Sequence, residues 1–482
     1  MPSYPTYDRS AVSVGIVHFG VGGFHRAHQA AYLDALMNEG LANDWGICGV
    51  GVLPADEAMA RALVPQQGRY TLVVKHPDGK LEPRVIGSIV KYLYAPDDPE
   101  QVLEMLTRQQ TRIVSLTITE GGYNFNQSTH AFIADEPGVA ADLVPGATPS
   151  TVFGYVVEAL RRRRDNGIAP FTVMSCDNIQ SNGHVARKMF TSFAALRDPE
   201  LAQWITEHVH FPDSMVDRIT PATTDDDRAQ LRDELGVVDN WPVICEPFTQ
   251  WVLEDDFSLG RPPLEEVGVQ LVEDVAPYEL MKLRLLNASH QAIAYFGHLL
   301  GHRYAHEAAT DPRLVQYTRT YMDAEATPTL LPVPGVDLES YKAELLERFA
   351  NPGIRDTIAR LCAESSDRIP KWVLPVIRQN LATGGPISHA TAIVASWARY
   401  AEGVDEQGRP IEVVDRLADE VSAAAQQYPR DPLAFLRMAQ LFGDLAENER
   451  FVGEYLRIAD SIHAVGVAET LADLAKLAAA DR

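Results

Sequence analysis

Cysteine is scarce in this sequence, and the few cysteines present have none of the spacings that metal or disulfide sites need. The 482 residues include four of them, none in a CxxC pair: Cys48, Cys176, Cys245 and Cys362. A zinc ribbon or a disulfide framework is therefore not supported. Isolated cysteines are typical of a reducing compartment, so we expect a cytoplasmic protein.

Positive charge is also in short supply. Lysine and arginine together number 42 against 66 aspartates and glutamates, and the formal net charge is −24. Such a surface repels phosphate backbones and anionic lipid, so we expect neither a nucleic acid nor a membrane partner. A phosphate-bearing cofactor is not excluded, because backbone N–H groups can bind phosphate locally.

Long apolar runs are missing as well. No stretch of about 18 apolar residues predicts a membrane-spanning helix. The first residues, MPSYPTYDRSAV, lack the charged and then apolar pattern of a secretory signal. A chain of 482 residues is too long for a single core, so we expect more than one domain.

Glycine, by contrast, is concentrated directly after the first apolar run. Residues 12–19 (VSVGIVHF) are followed by Gly20, Gly22 and Gly23, then by an amphipathic helix and a second apolar run that ends near Asp56. Strand, glycine turn, helix and strand in this order are typical of a dinucleotide-binding unit. Glycines allow the backbone to approach a pyrophosphate closely.

The match to the dinucleotide motif is incomplete. His25 stands where the third glycine of GxGxxG belongs, and Asp56 lies farther from the turn than is usual for the acidic residue that binds the ribose. An ordinary tight turn is the alternative interpretation. Arg26, at the start of the helix, is a candidate phosphate ligand or else a solvated arginine.

Strands and helices alternate further along the chain. Residues 71–75 and 84–94 are predicted as strands, and the acidic run 225–227 is predicted as a solvated loop. A buried strand (112–119) runs into Glu120, and another (171–178) ends at Asn178. Ligands gather outside the carboxyl ends of strands in doubly wound sheets, so both residues are candidates for a site. Turn formation is the alternative role for each.

After Pro277 the pattern becomes almost wholly helical. We therefore predict an α/β protein with a Rossmann-like N-terminal domain and a mostly α-helical C-terminal domain. Residues 1–280 form the expected NAD-binding domain, and residues 281–482 form the expected α-helical substrate and catalytic domain.

The stretch KLRLLNASH (282–290) opens the predicted helical domain. At about 100° of rotation per residue, Lys282, Asn287 and His290 fall within one arc of a helix. An amine, an amide and an imidazole can transfer a proton and stabilise an oxyanion without a metal. A plain polar stripe on a surface helix is the alternative.

Three further histidines, His298, His302 and His306, follow at four-residue spacing. Histidines at i and i+4 can share a metal, but no HExxH arrangement accompanies them. We therefore expect no metal site and interpret them as core or surface histidines.

Five motifs together resemble the long-chain polyol dehydrogenase family: K-x4-N-x2-H, GVGGFHRAH, TITEGGY, MSCDN and VDRITP. The resemblance extends over nearly the full chain and is greatest to the mannitol 2-dehydrogenase branch. It implies a metal-independent, NAD-dependent interconversion of D-mannitol and D-fructose, with a small polyol or ketose as the partner molecule and a monomeric enzyme.

The resemblance also implies roles for individual residues. It makes Lys282 the general acid/base, and it places the reacting oxygen between Asn178 and Asn287. His290 orients the substrate, and Glu120 lies on the proton path. Substrate binding falls to Asp217, Arg360 and Arg368, and cofactor binding to Gly20, Gly22, Gly23, Phe24, Arg26 and Asp56.

Two points of detail follow from the resemblance. Asp56 stands where the family selects NAD over NADP. Arg368, in SSDRIPKW, stands where the family has a lysine. The planar guanidinium of arginine replaces the compact ammonium of lysine there, and this affects the contact with the sugar substrate.

Other activities remain open at this stage. A hexuronate reductase acting on fructuronate or tagaturonate would use Arg360 or Arg368 against a carboxylate, whereas TITEGGY and Asp217 favour a neutral polyol. A sorbitol or arabinitol dehydrogenase is a further alternative. A non-catalytic nucleotide sensor would not need an amine, an amide and an imidazole on one helix.

Overall fold

The computed structural model describes residues 2–126, 129 and 131–480. The chain divides into two compact units, Met1–Ala276 and Pro277–Arg482. The first contains a Rossmann-like parallel sheet and the second is helical, so the predicted fold class is confirmed. The assignment of nucleotide binding to residues 1–280 and of catalysis to residues 281–482 stays a prediction.

Eleven strands lie in the described part of the first unit. In chain order they are β1 (Val14–Phe19), β2 (Gly46–Gly51), β3 (Tyr70–Lys75), β4 (Leu81–Ile86), β5 (Ile89–Tyr94), β6 (Ile113–Leu116), β7 (Thr172–Ser175), β8 (Ser214–Asp217), β9 (Val243–Cys245), β10 (Gln250–Glu254) and β11 (Gln270–Val272).

The helices of the first unit connect these strands. They are α1 (Gly23–Ala27), α2 (Gln29–Asn38), α3 (Glu57–Leu63), α4 (Pro99–Thr107), α5 (Pro137–Asp142), α6 (Val152–Asp165), α7 (Asn182–Arg197), α8 (Pro199–His208) and α9 (Asp225–Leu235), with 3₁₀ helices at Arg9–Ala11, Pro54–Asp56, Glu120–Tyr123 and Leu264–Val267.

The main sheet has the strand order β5-β2-β1-β6-β7, and every neighbouring pair is parallel. The chain builds outward from β1 to β2 and β5, and then returns to add β6 and β7 on the other side. This reversal creates a switch point between β1 and β6, where doubly wound folds bind their ligands. Strands β1, β2, β6 and β7 are almost wholly buried, as expected for a parallel sheet covered on both faces.

Two smaller sheets complete the first unit, with orders β4-β3-β9 and β11-β10-β8. The prediction of one strand over residues 84–94 is wrong, because the chain changes sheets at Gly87 and Ser88. There the Gly87 N–H donates to Asp34 Oδ1 at 2.8 Å, and the Ser88 hydroxyl donates to the Ala30 carbonyl at 2.6 Å. These tertiary bonds end β4 before β5 begins.

The acidic run at residues 225–227 is also not the loop that its charge suggests, because it forms the first turn of α9. The Thr224 hydroxyl accepts the N–H of Asp227, and the Asp227 carboxylate accepts the N–H of Thr224 in return. Lys75 Nζ lies 2.9 Å from Asp227 Oδ1. Acidic residues in a first turn are favoured by the unpaired N–H groups of a helix start.

In the part that the structure describes, the second unit consists of helices and connecting loops, apart from isolated bridges. They are α10 (Ala276–Met281), α11 (Ala288–Leu299), α12 (Ala305–Ala308), α13 (Pro312–Thr320), α14 (Leu338–Phe349), α15 (Ile358–Cys362), α16 (Ser365–Trp372), α17 (Leu374–Thr383), α18 (Ser388–Ala401), α19 (Ala418–Ala425), α20 (Ala439–Phe442), α21 (Glu449–Val465) and α22 (Val467–Ala480), with π-helices at Lys282–Asn287 and Tyr321–Ala326 and 3₁₀ helices at Thr327–Thr329 and Gly443–Glu447.

Helix α11 lies at the centre of this second unit. It is buried on nearly every side and packs against α13, α15 and α18. A helix that is apolar all round is stable only when neighbours cover it. Among the residues that the structure describes, no helix is both long and apolar enough to cross a bilayer.

Candidate functional site

The glycine turn after β1 depends on a backbone conformation that only Gly20 supplies easily. Gly20 has φ +90°, and a Cβ there would collide with the carbonyl oxygen of Thr117. The Gly22 N–H donates to the Gly20 carbonyl at 2.7 Å and closes the turn. The strand-to-helix connection is therefore as tight as the dinucleotide motif requires.

Gly22 and Gly23 leave open space in front of the same turn. A Cβ on Gly22 would meet nothing nearer than the Gly20 carbonyl oxygen at 3.9 Å, and one on Gly23 would meet Thr220 Cγ2 at 3.5 Å. Phe24 follows, half-buried, with its ring stacked on that of His28 at 4.9 Å. The open backbone fits a pyrophosphate, so these residues fit a dinucleotide cofactor.

Arg26 lies beneath the glycine turn. It is 1% exposed, and its Nε donates to the Gly22 carbonyl at 3.2 Å while Nη1 donates to the Trp241 carbonyl at 2.5 Å. Its guanidinium carbon is 5.2 Å from the centre of the Tyr70 ring. Arg26 therefore holds the turn in place, and its contact with a phosphate stays a prediction.

Asp56 stands just beyond the carboxyl end of β2. Its Oδ2 accepts the N–H groups of Val52 and Leu53, both at 2.9 Å. An acidic residue at the end of the second strand fits the position that binds the adenosine ribose in NAD enzymes. Asp56 also closes its own turn, which sequence spacing did not show.

The carboxyl ends of β6 and β7 carry the next two candidates. Glu120 is exposed and begins the 3₁₀ helix Glu120–Tyr123. Asn178 is also exposed and lies two residues after Cys176. The buried carboxylate of Asp177 accepts backbone N–H groups from the segment before Glu120. The structure thus brings these two loop corners of the first unit together.

Asp217 is the last residue of β8 and is 6% exposed. It pairs with Gln250 of the antiparallel strand β10. Its backbone is therefore fixed by the ladder, and its role toward substrate hydroxyls stays a prediction.

The stretch opening the second unit is a π-helix at Lys282–Asn287 rather than a uniform α-helix. The Ala288 N–H donates to the Leu283 carbonyl, a bond that spans five residues. A helix with such bonds completes a turn in more residues than an α-helix does. Residues five positions apart, such as Lys282 and Asn287, therefore lie on nearly the same side of the helix. Both are buried, at 7% and 5% exposure.

The side-chain amide of Asn287 is unusual. Within the described part of the chain, its buried Nδ2 has no hydrogen-bond partner. Leaving a buried donor unsatisfied costs about 1–3 kcal/mol, so such groups are rare unless a ligand or water completes them. The amide N–H is therefore available to an acceptor other than the described residues.

Contacts on other residues hold the π turn. Arg284 is 9% exposed, and its Nη1 donates to the Thr329 carbonyl and, at 2.7 Å, to Gln379 Oε1. The Arg284 carbonyl accepts the Tyr321 hydroxyl at 3.2 Å. Tyr321 itself begins the second π-helix.

His290 lies three residues after Asn287, in the first turn of α11. Its ring is 4.2 Å from that of Phe349, centre to centre, and it is half-buried. This packing fixes the plane of the His290 ring, so the two ring nitrogens point in a defined direction.

Arg360 and Arg368 are brought together by the backbone between them. Arg360 forms a two-point ion pair with Asp356, which raises the pKa of its guanidinium, whereas burial lowers the pKa of Arg368. Arg368 Nη1 donates to the carbonyls of Arg360 at 3.2 Å and Leu361 at 3.0 Å. The guanidinium groups of Arg360 and Arg368 therefore each donate to acceptors within the chain.

The three spaced histidines have separate neighbours. His298 meets Tyr400 edge-on at 5.1 Å, and His306 stacks on the Tyr304 ring at 5.5 Å, while His302 Nε2 lies 3.2 Å from Asp311 Oδ2. Among the described residues, no group of three or more His, Cys, Asp or Glu is arranged to hold a metal ion.

Sequence reasoning missed two features of these sites. Asp177 was visible only as a loop residue of MSCDN, although an aspartate directly after a buried strand is a signal for a backbone clamp. The π turn left no signal, because hydrogen-bond register is not encoded in residue type or spacing.

Two family models match the chain. One, described as the Rossmann domain of mannitol dehydrogenase, matches residues 14–266. The other, described as the C-terminal domain of mannitol dehydrogenase, matches residues 274–463.

Curated relatives of the same name cover nearly the whole chain. A mannitol 2-dehydrogenase of Aspergillus fumigatus is 47% identical over 474 residues, which are 97% of this chain and 94% of the relative. Mannitol dehydrogenase 2 of Saccharomyces cerevisiae is 45% identical over 468 residues, 96% of this chain and 92% of that one.

Two solved structures share the fold over the full length. The ternary complex of Pseudomonas fluorescens mannitol 2-dehydrogenase with NAD and D-mannitol gives a TM-score of 0.88 at 45% identity, covering 98% of this chain and 96% of the other. A D-sorbitol dehydrogenase in substrate-free form gives a TM-score of 0.91 at 39% identity, covering 97% of each chain.

Proposed function

The chain belongs to the mannitol dehydrogenase family, and from this premise we propose that it interconverts D-mannitol and D-fructose without a metal. It is an NAD-dependent polyol dehydrogenase. The observation that carries the finer proposal is the π turn, which sets the buried amine of Lys282 and the unsatisfied amide of Asn287 on one side of a buried helix.

Lys282 is the proposed general acid/base. Oxidising an alcohol removes a proton from O–H, and the group that takes it must work near the pH of its surroundings. A lysine in water has a pKa of about 10.4, and burial disfavours the charged form. The 7% exposure of Lys282 acts in the required direction.

Asn287 and Asn178 are the proposed donors to the reacting oxygen. Negative charge develops on that oxygen as the proton leaves, and an amide N–H aimed at it is worth about 3 kcal/mol by analogy with oxyanion holes. The orphaned Nδ2 of Asn287 supports its part. Asn178 rests on the family resemblance and on its position after β7.

The other proposed roles are distributed over both units. His290 orients the sugar, and Asp217, Arg360 and Arg368 bind its hydroxyls. Glu120 passes protons to solvent, which its exposed position after β6 allows.

The glycine turn and Asp56 are the proposed NAD ligands of this chain, together with Phe24 and Arg26. When bound, the nicotinamide accepts the hydride from the alcohol carbon. Gly22 and Gly23 admit the pyrophosphate, and the negative charge of Asp56 disfavours the additional phosphate of NADP.

A neutral substrate is favoured over a hexuronate by the ion pair of Arg360. Arg360 is neutralised by Asp356, and the fork of Arg368 donates to backbone carbonyls. Arg360 therefore offers no uncompensated cation to a substrate carboxylate, whereas Arg368 keeps its charge, because neutral carbonyls do not compensate it. D-sorbitol is the second candidate, because a D-sorbitol dehydrogenase shares the fold at 39% identity.

A substrate screen tests the proposal. NADH and NADPH oxidation is followed at one protein concentration with fructose, fructuronate, tagaturonate and xylulose. We expect the highest kcat/KM for fructose with NADH. A large preference for fructuronate would refute the mannitol–fructose assignment and leave the fold assignment intact.

Metal independence has its own test. Dialysis against a strong chelator should leave fructose reduction unchanged. Complete loss of activity that zinc restores would show that a metal takes part. Light scattering after size-exclusion chromatography tests the accompanying proposal that the enzyme is a monomer, which a dimer mass would contradict.

A further inference from the structure

One buried carboxylate joins the two loop corners that carry Glu120 and Asn178. Asp177 Oδ2 accepts the N–H of Ile118 at 3.0 Å, and Oδ1 accepts the N–H of Thr119 at 2.8 Å. The first corner follows β6, whereas Asp177 itself follows β7. A single side chain therefore spans the ends of two neighbouring parallel strands.

The corner that it holds has a strained backbone. Thr119 has φ 63° and ψ 168°, a region populated almost only by glycine. Threonine is β-branched, which makes this conformation more costly still. Such a residue persists only where its surroundings over-determine it. The two consecutive N–H groups bound by Asp177 supply that constraint.

A third bond secures the far side of Glu120. The Tyr123 hydroxyl lies 2.8 Å from Asp177 Oδ2 and 2.6 Å from Ser175 Oγ, and Tyr123 is fully buried. Tyr123 is also the last residue of the 3₁₀ helix that Glu120 begins. Glu120 is thus bracketed by Thr119 and Tyr123, which are both bonded to the same carboxylate.

The Asn178 side of the clamp is closed as well. Asn182 is 1% exposed, and its Nδ2 donates to the Asp177 carbonyl at 2.9 Å and to the Ser214 carbonyl at 2.8 Å. Ser181 adopts a left-handed conformation, φ 50°, to complete this turn. The segment that carries Asn178 is therefore fixed at both ends.

The Asp177 carboxylate has no cation against it. Within the described ranges it forms no ion pair, and its oxygens accept from two backbone N–H groups and from the Tyr123 hydroxyl. Burial raises the pKa of this carboxyl against the opposing effect of those donors. The corner is therefore held by directional hydrogen bonds to this one carboxylate and not by an ion pair.

We propose that Asp177 is a positioning residue of the dehydrogenase reaction. Its carboxylate holds the strained Thr119–Glu120 corner and the Asn178 turn in one fixed arrangement, so that the proton path and the amide donor keep their places. The inference rests on the proposed roles of Glu120 and Asn178.

The test compares Asp177→Asn with a matched control, Asp142→Asn. Asp142 is a second buried aspartate of the same unit, 2% exposed, and it accepts the consecutive N–H groups of Ser150 and Thr151 at the start of α6. Steady-state kcat and KM, the dissociation constant of NADH and the melting temperature are measured on full-length protein. We expect Asp177→Asn to lower kcat at least 30-fold with NADH affinity within threefold.

The control should lower the melting temperature by a comparable amount while kcat stays within twofold of wild type. Equal losses of kcat in both variants would reduce Asp177 to a structural residue. Unchanged kcat in Asp177→Asn would overturn the proposal directly. If Asp177→Asn folds poorly, Tyr123→Phe serves in its place, because it removes one hydrogen bond to Asp177 and keeps the carboxylate. We expect a two- to fivefold fall in kcat for Tyr123→Phe.

A rescue experiment tests the strain argument itself. Glycine adopts the Thr119 conformation without strain, so Thr119→Gly added to Asp177→Asn should recover kcat at least fivefold over Asp177→Asn alone. No recovery would contradict the claim that the clamp works by holding this corner.

Failure of the clamp is distinguishable from failure of the proposed function. If wild type turns over no polyol or ketose, the proposed function falls, and hydrogen exchange still reports on the clamp. Amide exchange in a peptide spanning residues 113–123 should accelerate at least tenfold in Asp177→Asn and not in Asp142→Asn. Unchanged exchange would overturn the clamp whatever the activity.

Discussion

Two of the proposed catalytic groups, Lys282 and Asn287, are single buried polar side chains. Asn287 illustrates the conflict between folding and function, because its Nδ2 is buried without a partner in the described part of the chain. A buried donor of this kind costs stability unless a ligand or water accepts from it. We therefore expect Asn287 to lower the stability of the folded protein and to stabilise the transition state of the reaction.

Asn287→Leu, which is close in volume, should leave the melting temperature equal to or above that of wild type, because it removes an unsatisfied donor. It should lower kcat/KM about 100-fold, the equivalent of about 2.7 kcal/mol. Thermal unfolding and steady-state kinetics measure both.

Asn380→Leu is the matched control for that variant. Asn380 is 2% exposed, and its Nδ2 donates to the Glu325 carbonyl at 2.9 Å. This change should lower the melting temperature and leave kcat near wild type. A destabilised Asn287→Leu with full activity would show that its amide is a structural group.

Asp56 combines two effects that substitution can separate. Asp56→Asn keeps an oxygen for the N–H groups of Val52 and Leu53 but removes the charge, whereas Asp56→Ala removes both. Both variants should raise the NADPH-to-NADH ratio of kcat/KM at least tenfold, and only Asp56→Ala should lose stability. An unchanged cofactor ratio in both would remove Asp56 from the cofactor site.

At the scale of elements, the π turn is what makes the spacing of the second-unit motif effective. In a straight α-helix, Lys282 and Asn287 would lie at the two edges of one arc, about 140° apart around the axis. The five-residue bond to the Leu283 carbonyl reduces that angle. Its supports lie on other elements, at Tyr321, Thr329 and Gln379. Disturbing a support should therefore act on catalysis from a distance.

Tyr321→Phe removes the hydroxyl that donates to the Arg284 carbonyl. We expect a fivefold to tenfold loss of kcat, since a hydrogen bond of this kind is worth about 1 kcal/mol. Tyr317→Phe is the control, because its buried hydroxyl donates to the His389 carbonyl at 2.6 Å. Equal losses of kcat in the two variants would argue against a special role of the π turn.

Elements of the first unit could be predicted where residue pattern and backbone coincide. The strand within the apolar run at 12–19, the three glycines and the corners after β6 and β7 that carry Glu120 and Asn178 all follow from hydrophobic runs and turn chemistry, although both strands end earlier than predicted, at Leu116 and Ser175. The split at Gly87 could not, because hydrogen bonds to Asp34 and Ala30 decide it. Tertiary partners are invisible to a local pattern.

The same limit applies to the candidate sites. The positions of Lys282, Asn287 and His290 on one helix follow from spacing, but the helix type does not. For Asp227, the cap with Thr224 is a local Thr-x-x-Asp signal of a helix start, whereas the contact with Lys75, far away in sequence, leaves no local signal. Arg26 was assigned only outward roles, although Trp241 and Tyr70 bury it.

At the scale of the whole molecule, two buried histidines contribute to the response to acid. Burial lowers the pKa of His18 to about 3 and lowers that of His25 well below its ordinary value. The two rings stack at 3.4 Å between centres, and His18 also bonds to Ser115 and Thr117. Both rings therefore stay neutral in the folded state.

The variant His18→Gln lacks the titrating imidazole, so comparing it with wild type isolates the contribution of His18 to the pH dependence of stability. The folded pKa of His18 lies below the unfolded value of 6.5, so its contribution is present above pH 6.5 and is lost as the pH falls toward 3. Between pH 7 and pH 5, His18 should cost wild type about 2 kcal/mol of unfolding free energy.

Urea unfolding at the two pH values measures this difference, and the wild-type loss should exceed that of His18→Gln by that amount. Parallel losses in the two proteins would show that His18 is protonated when folded. The comparison cancels the change in charge repulsion of a chain with net charge −24.

The central claim is that Lys282 exchanges the proton, and one pair of variants tests it most directly. Lys342→Met replaces another buried lysine, one held by Asp323 and Glu339, and serves as the control. For Lys282→Met we predict a loss of at least 1000-fold in kcat for NADH-linked fructose reduction, with NADH affinity within twofold and with loss of the ionisation that governs the wild-type pH profile. Lys342→Met should keep that profile. A Lys282→Met enzyme that retains kcat within tenfold, or retains the pH profile, would contradict the account.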